Sequence, residues 1–518
     1  MKLKLIYFLC FSAVFLKLYI FGNLYNTAIH RNGQFFGIFY NTQDNLSYIS
    51  YIKQAEKGFY MFSDLYTSDE NIRGLINPLF LLIGKFCGLF HSDPALTLMF
   101  IGVLAGVLPM LAIYGISGML YPEKKAEFTL AVSFLMFFGS GVSWIFLKYK
   151  MFKEPGIDLS YFDLFGYSNY IVYPFHCTIS LIISLLTFLM FKTVKQASLN
   201  NIFLLTAASL FLFFSRPYEY PIIFASYLLF SLYENLLKKR NISELFSASF
   251  ASLTAVLILG SAYYYWFSLQ DVWKNLGSIS ANISVSRTSW ILGTGVFFLL
   301  SCVSLVRRFI DRNLNFFSFY FILFILLNLI FNIRNSKLSG SFVFFLSFSA
   351  SEGFFIIYES IRTLKRKYFR TAAFAVLYAF FLSASINFFT AVKLLEYAVP
   401  LMDKNLYSLL KKIDTENESR TILSYSNLNE FIPAFTGMKV YSGHWSLTNN
   451  FREKNQQIDS LLKDGLKEIQ KQDTLLKFLK ESRIQHILLE KKHFTEMGDH
   501  LLKIYESGNW VFAKTRQN

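Results

Sequence analysis

An acidic residue near the N-terminus of this 518-residue chain is the first candidate for chemistry. Residues 44–57 have the periodicity of an amphipathic helix, with one stripe formed by Asp44, Tyr48, Tyr51 and Ala55. A carboxylate partly removed from water has a raised pKa and becomes a better general base. Asp44 is therefore the candidate catalytic base, and Tyr48 a candidate substrate-binding residue beside it. The alternative is that Asp44 caps the helix, and the two roles are compatible.

A second acidic group follows in the turn-like run DLYTSDEN. It contains Asp64, with Asp69 and Glu70 five and six residues further on. Carboxylates at this spacing could bind a divalent cation or the hydroxyls of a sugar, which makes Asp64 a candidate substrate-binding residue. The alternative is a solvated loop or a helix cap.

Two later segments carry polar residues at the ends of apolar runs. Loop 148–172 holds three acidic residues, among them Asp163, and leads into YPFH, whose His176 could hydrogen-bond a phosphate or a sugar. A structural hydrogen bond is the alternative for His176.

The motif SRPYEY breaks one long apolar stretch into two halves. Its Arg216 presents a planar fork that suits a phosphate, and Tyr218 and Glu219 lie next to it as further candidates for substrate binding. The alternative is that Arg216 and Glu219 form an ion pair that merely ends a helical hairpin.

The composition is that of a membrane protein. Hydrophobic residues make up 54% of the chain, with 60 Phe and 31 Tyr, and a bilayer core needs about 20 apolar residues per helix. We predict an all-α polytopic bundle, because backbone in lipid must satisfy its own hydrogen bonds. Eleven spans are expected, near 5–22, 96–118, 127–147, 173–192, 201–215, 218–236, 246–267, 288–306, 315–333, 340–360 and 371–394.

The formal net charge of +16 is concentrated in short alternate loops, which is the positive-inside pattern rather than a nucleic-acid-binding surface. This pattern predicts a multi-pass protein of the cytoplasmic (inner) membrane, with a cytoplasmic N-terminus held by a retained signal anchor and an extracytoplasmic tail. Residues 76–90 are short for a span and contain Pro78 and Lys85. We interpret them as an interfacial helix.

Three parts are expected along the chain: a first span with an outer loop (1–95), a membrane bundle (96–394) and a small soluble α/β domain (395–518). In the last part, 421–426, 438–442, 485–490 and 510–514 are typical of strands, and 447–464, 472–482 and 495–507 of helices.

Motifs of other chemistries are absent from the sequence, including a P-loop, GxGxxG after a strand, HExxH, GxSxG and Cys/His metal spacing. The four cysteines are scattered through apolar segments and form no disulfide framework. No cofactor is expected to be required and no metal site is assigned, although the acidic run leaves a divalent cation open.

The order and spacing of several segments resemble the GT-C membrane glycosyltransferases, in particular the bacterial group similar to dolichyl-phosphate-mannose–protein mannosyltransferases. The segments are QDNLSYISYIKQAEKG, DLYTSDENIRGLINPLFLLIG, GSGVSW, YPFH, SRPYEY and GMKVYSGHW, which together extend over most of the chain. Many members carry an adjacent acidic pair in the first loop, whereas Asn45 follows Asp44 here.

The resemblance implies an inverting transfer of a sugar from a polyprenyl-phosphate donor, on the extracytoplasmic face, to an envelope glycan, lipid or protein. The first-loop acidic residue of the group corresponds to Asp44 as the base, and Arg216 is the candidate for the leaving phosphate. In the tail, His444 with Tyr441 and Trp445 could line an acceptor groove or belong to a packed core. The alternative functions are a lipid-linked glycan flippase or other transporter, or a non-catalytic assembly protein.

Overall fold

The computed structural model of this chain describes residues 33–38, 42–138, 174–196, 198–238, 242–269, 273, 287–330, 341–383, 400–414, 420–462 and 466–516, together with isolated positions before residue 31. Most of the described chain is helical, with one small sheet near the C-terminus. It divides into two compact units. The first comprises 1–23, 100–262 and 280–397, and the second comprises 24–99, 263–279 and 398–518.

The helices before residue 400 follow the apolar runs of the sequence, except the first, which is amphipathic. Their bounds are α1 Thr42–Glu56, α2 Pro78–Phe90, α3 Pro94–Ala105, α4 Pro109–Leu120, α5 Lys125–Phe138, α6 Pro174–Lys195, α7 Leu199–Ser215, α8 Tyr220–Lys238, α9 Ile242–Ser268, α10 Arg287–Ile310, α11 Phe316–Phe324, α12 Phe342–Arg362 and α13 Lys367–Ser383. A π-helical segment, Ile325–Ile330, follows α11 directly.

Within the described residues, three segments are long and apolar enough to cross a membrane, namely Pro94–Leu120, Thr178–Lys195 and Phe342–Arg362. Shorter apolar helices are Pro78–Phe90, Leu199–Ser215 and Phe316–Leu327. The total of eleven spans therefore stays a prediction. The span expected at 96–118 consists of α3 and α4, because Pro109 cannot donate a backbone hydrogen bond and begins a new helix.

Close backbone approach and aromatic packing hold the first unit together. A Cβ on Gly353 of α12 would lie 1.9 Å from the carbonyl oxygen of Leu300 in α10, so only glycine permits this contact. The rings of Phe317 and Phe348 stack at 4.2 Å between α11 and α12. Part of the large phenylalanine content thus serves helix–helix packing in this bundle.

The tail contains a mixed five-stranded sheet of order β2-β1-β3-β5-β4. Its strands are β1 Thr421–Leu423, β2 Lys439–Val440, β3 His486–Glu490, β4 Leu501–Ser507 and β5 Trp510–Thr515. Strand β1 pairs in parallel with β2 and with β3, whereas β5 pairs antiparallel with β3 and with β4. The helices of the tail are α14 Lys404–Ile413, α15 Ile432–Thr436, α16 Phe451–Leu462, α17 Ile469–Glu481 and α18 Lys491–Met497. The core joins β1 and β3 to α16 and α17 through Leu423, Ile458, Leu475 and Ile487.

All four strands predicted in the tail are present, and α16 and α17 lie where helices were predicted. The helix predicted at 495–507 is wrong. Gly498, with φ 52°, ends α18, and Gly508, with φ 57°, begins the two-residue turn that pairs β4 with β5. Both glycines adopt conformations that other residues avoid, and the hairpin pairing overrides the local helical pattern.

The second unit combines the first loop with the tail. Residues 65–68 run along the free edge of β2: the Val440 amide donates to the carbonyl of Leu65 at 2.9 Å, and the Gly443 amide donates to that of Tyr66 at 2.9 Å. An isolated bridge also pairs Gln34 with Met402. The loop thereby satisfies backbone groups that an edge strand leaves open.

Candidate catalytic site around Asp44

Helix α1 positions Asp44 in its first turn. The helix begins at Thr42, so Asp44 lies inside the first turn rather than at the cap. The helix dipole favours a negative side chain in this first turn. One face of α1 is fully buried and packs on α2. A Cβ on Gly84 of α2 would lie 2.3 Å from the Cβ of Ala55, so the two helices are in close contact. This packing fixes the position of α1 and of the carboxylate that it carries.

The structure brings His444 to Asp44. The Nε2 atom of His444 lies 3.4 Å from Oδ1 of Asp44. The side chain of His444 is 3% exposed and that of Asp44 is 39% exposed. His444 therefore lies beneath a carboxylate that remains accessible from outside.

The other ring nitrogen of His444 is held by the next turn of chain. The backbone amide of Ser446 donates to Nδ1 at 3.2 Å, and the Ser446 hydroxyl lies 3.1 Å from the same atom. The Thr448 hydroxyl donates to the carbonyl of Tyr66 at 2.6 Å and accepts from the amides of Gly443 and His444. These bonds tie the loop after β2 to the first loop.

Space around this loop is tight. A Cβ on Gly443 would lie 2.8 Å from Cδ1 of Tyr66 and 2.8 Å from Cγ2 of Val440. The ring of Tyr66 meets that of His444 edge-on at 5.7 Å, and the Trp445 ring stacks on it at 6.2 Å. The ring of His444 is thus confined between the side chains of Tyr66 and Trp445, and Trp445 itself is 46% exposed.

A second carboxyl group, which the sequence analysis missed, belongs to this neighbourhood. Burial raises the pKa of Glu430, while a hydrogen bond from Gln43 and the proximity of His444 act against that rise. Glu430 precedes the short helix α15 and follows no recognisable motif. Its link to Gln43, the neighbour of Asp44, is visible only in three dimensions.

Tyr48 is half-buried on the same face of α1 as Asp44, and its ring stacks on Phe80 of α2 at 5.5 Å. Tyr441, expected with His444 and Trp445 at an acceptor groove, packs edge-on against Phe478 at 5.1 Å and donates its hydroxyl to Gln457. Tyr441 therefore belongs to the packing of the tail, whereas Trp445 presents a face to solvent.

Asp64 is completely buried, so the interpretation as a solvated loop is wrong for this residue. Its Oδ1 accepts from the Tyr66 amide at 2.7 Å, and the Asn71 side chain bonds both its amide and its carbonyl at 3.0 Å. Burial raises the pKa of Asp64 to about 7. Asp64 shapes the turn that presents Tyr66 to the loop 443–448.

The acidic run does not assemble a metal site in the part of the chain that the structure describes. Asp69 pairs with the ammonium of Lys454 at 2.7 Å. Among the described residues, no group of three or more His, Cys, Asp or Glu side chains lies close enough to hold a metal ion.

The SRPYEY motif lies in the first unit, between α7 and α8. Glu219 is completely buried, with Oε1 3.3 Å from Nε of Arg216 and Oε2 accepting from the Ser341 amide at 2.9 Å. The Arg216 guanidinium lies 5.6 Å from the ring centre of Tyr218. The ion pair considered from the sequence is present, and a role of Arg216 in phosphate binding stays a prediction.

Two predicted site residues are not placed. Asp163 lies outside the described residues. His176 lies in the first turn of α6, but its side chain is not among those described.

Comparison with known proteins identifies the fold. No family model and no curated protein matches the chain. The Archaeoglobus fulgidus oligosaccharyltransferase, in a complex with Zn and sulfate, superposes with a TM-score of 0.53 at 10% identity, over 93% of this chain and 68% of that one. ArnT from Cupriavidus metallidurans in the apo state gives 0.50 at 10% identity, over 97% and 98%. The fold is that of the GT-C membrane glycosyltransferases.

A further solved structure adds to the comparison. The archaeal oligosaccharyltransferase AglB from Archaeoglobus fulgidus, in complex with an inhibitory peptide and a dolichol-phosphate, matches with a TM-score of 0.53 at 10% identity, over 94% of this chain and 70% of that one. The GT-C fold predicted from the sequence segments is thus confirmed. The comparison and the apolar helices also support the prediction that the chain is a membrane protein.

Proposed function

We propose that this protein is a membrane glycosyltransferase that transfers a sugar from a polyprenyl-phosphate donor to an acceptor hydroxyl, with Asp44 as the base. The observation that carries the proposal is the accessible Asp44 carboxylate backed by buried His444 at 3.4 Å, within a GT-C fold. The AglB structure with a bound dolichol-phosphate supports a lipid-linked donor. A structure of the Archaeoglobus fulgidus oligosaccharyltransferase tethered with an acceptor peptide supports an acceptor held by the same fold.

The chemistry requires a base and a partner for the leaving group. The acceptor oxygen attacks the anomeric carbon opposite the phosphate, and the carbon–oxygen bond to the phosphate breaks as the new bond forms. Asp44 takes the proton of the acceptor hydroxyl, and the electron pair of the broken bond leaves with the polyprenyl phosphate. The product has the inverted configuration.

The charge on the leaving phosphate needs basic groups, and Arg216 is the proposed partner. Nε of Arg216 lies 3.3 Å from Oε1 of Glu219, an ion pair that makes no hydrogen bond. The planar fork of a guanidinium is suited to bidentate contact with phosphate oxygens. Tyr218 lies within cation–π distance of the same group.

The finer features of the proposal follow from the sequence. We propose eleven membrane helices in the cytoplasmic membrane, with a cytoplasmic N-terminus and the tail 395–518 on the extracytoplasmic face, where the acceptor is an envelope glycan, lipid or protein. The transferred sugar is a hexose or a pentose, because the enzyme resembles the mannosyltransferases. No cofactor is required in this scheme.

A donor panel tests the proposal. The purified full-length protein would be incubated in detergent with radiolabelled polyprenyl-phosphate sugars and an extract of envelope glycans and lipids, and released polyprenyl phosphate would be measured. Release from one donor class, absent after heat inactivation, supports the proposal. A folded protein that binds these lipids but releases no polyprenyl phosphate from any donor contradicts it and favours a flippase or an assembly protein.

A further inference from the structure

We propose that His444 is a positioning residue for Asp44, which it orients through an Nε2–H donor; this inference rests on the proposed function. His444 and Asp44 lie 400 residues apart in the sequence, yet Nε2 and Oδ1 are 3.4 Å apart. That separation is longer than an ordinary N–H···O hydrogen bond of about 2.7–3.2 Å, and the buried Nε2 atom makes no hydrogen bond to the described residues. Catalytic hydrogen bonds are often long before substrate binds and tighten afterwards.

The tautomer of His444 follows from its neighbour. A backbone N–H can only donate, so the Ser446 amide at 3.2 Å requires an acceptor at Nδ1. In a neutral imidazole the proton must then be on Nε2, the nitrogen that faces Asp44. The ring therefore offers the carboxylate a donor.

The same assignment excludes His444 as the base. A protonated Nε2 has no lone pair to receive the proton of an acceptor hydroxyl, and Nδ1 is occupied by Ser446. The ring is also 3% exposed, beneath a carboxylate that is 39% exposed. Asp44 can meet a substrate, whereas His444 acts through Asp44.

The environment of His444 suits a fixed donor. Tyr66 meets the ring edge-on and Trp445 stacks on it, so it cannot turn freely. The charged groups that interact with it are carboxyl groups, Asp44 at Nε2 and Glu430 nearby. The buried Nε2 is aimed at Oδ1 without a hydrogen bond to it, and a shift of a few tenths of an ångström would form one and restrict rotation of the Asp44 carboxylate. Orientation of a reacting group is a recognised source of rate enhancement.

Two matched substitutions test the role in the full-length protein. His444→Phe keeps a ring between Tyr66 and Trp445 but removes the donor, whereas His444→Gln supplies an amide donor at nearly the position of Nε2. We expect kcat of His444→Phe to fall by roughly 100-fold, the loss typical of a misplaced reacting group, with KM for the donor lipid unchanged. His444→Gln should retain most of kcat. Thermal unfolding and donor-lipid binding of each variant control for folding.

Two results would overturn the inference. Equal and complete loss in both variants, matching that of Asp44→Asn, would make His444 itself a reacting group. Full activity in both variants would deny it any role. If wild-type protein shows no transfer, the proposed function fails, whereas the inference is still tested by the tautomer.

That second readout needs no activity. In protein labelled with ¹⁵N-histidine, the His444 signals are assigned by their loss in His444→Gln. A protonated Nε2 with an unprotonated Nδ1 supports the inference, and the opposite tautomer contradicts it. If His444→Phe does not fold, the tautomer measured in the wild type decides the inference.

Discussion

Asp64→Asn should make this protein more stable above pH 7, although the substitution removes a carboxylate from a loop rich in lysine partners. The wild-type side chain is completely buried, and burial raises its pKa to about 7, from about 4 in the unfolded chain. Between these two values the folded protein holds a proton that the unfolded protein has lost. The stability of the wild type therefore falls as the pH rises from 4 to 7 and stays low above that range.

The size of this effect follows from the same values. A difference of about three pH units, at about 1.4 kcal/mol each, gives an upper bound of about 4 kcal/mol on the cost of ionised Asp64 at pH 8. Asparagine carries no charge at any pH and keeps an oxygen that can accept from the Tyr66 amide. The variant should thus escape most of that cost.

The assay is the melting temperature of the full-length protein in detergent, from pH 5 to pH 8.5. We expect Asp64→Asn to match or fall slightly below the wild type at pH 5 and to exceed it at pH 8. Asp69→Asn is the matched control from the same loop; it loses a pair with Lys454 in which the two side chains are 35% and 13% exposed, and an ion pair near the surface is worth about 0–1 kcal/mol. A lower melting temperature of Asp64→Asn at pH 8 would refute the reasoning and show an ionised Asp64 held by its lysine neighbours.

Three further predictions concern the loop after β2, the buried ion pair of the first unit and the phosphate partner. Gly443→Ala should lower both the melting temperature and transfer, because its Cβ would lie 2.8 Å from Tyr66, and overpacking costs about 1–3 kcal/mol; unchanged transfer would contradict this. Glu352→Gln should destabilise by up to about 3–5 kcal/mol in thermal unfolding, since it leaves buried Arg308 without the carboxylate at 2.7 Å. Arg216→Lys should raise KM for the donor lipid, because an ammonium lacks the bidentate fork; an unchanged KM would remove Arg216 from the phosphate site.

The membrane character could be predicted from the sequence because long apolar runs are local signals, whereas the GT-C fold was predicted from the resemblance of several segments to that group. Apolar runs give helices wherever they are long enough, as α6 and α12 show. The tail strands were also predictable, since β-branched and apolar runs bounded by polar residues are local signals. Strand β4 was not, because its conformation depends on pairing with β5 across Gly508.

The candidate site was predictable only residue by residue. Asp44 and His444 were each selected from their own segments, but no local pattern indicates that Nε2 and Oδ1 would be 3.4 Å apart. That proximity arises because residues 65–68 pair with the edge of β2. Glu430 was missed for the same reason, as its importance comes from its neighbours Gln43 and His444 rather than from a motif.

The most direct test of the central claim is the transfer rate of Asp44→Asn relative to the wild type, on the donor that the panel identifies. Asp499→Asn, at a fully exposed carboxylate of the tail, is the matched control. We predict a loss of about 10²–10⁴-fold for Asp44→Asn, the usual effect of removing a general base, with an unchanged melting temperature and no loss for the control. Wild-type transfer by a folded Asp44→Asn protein would contradict the assignment of Asp44 as the base.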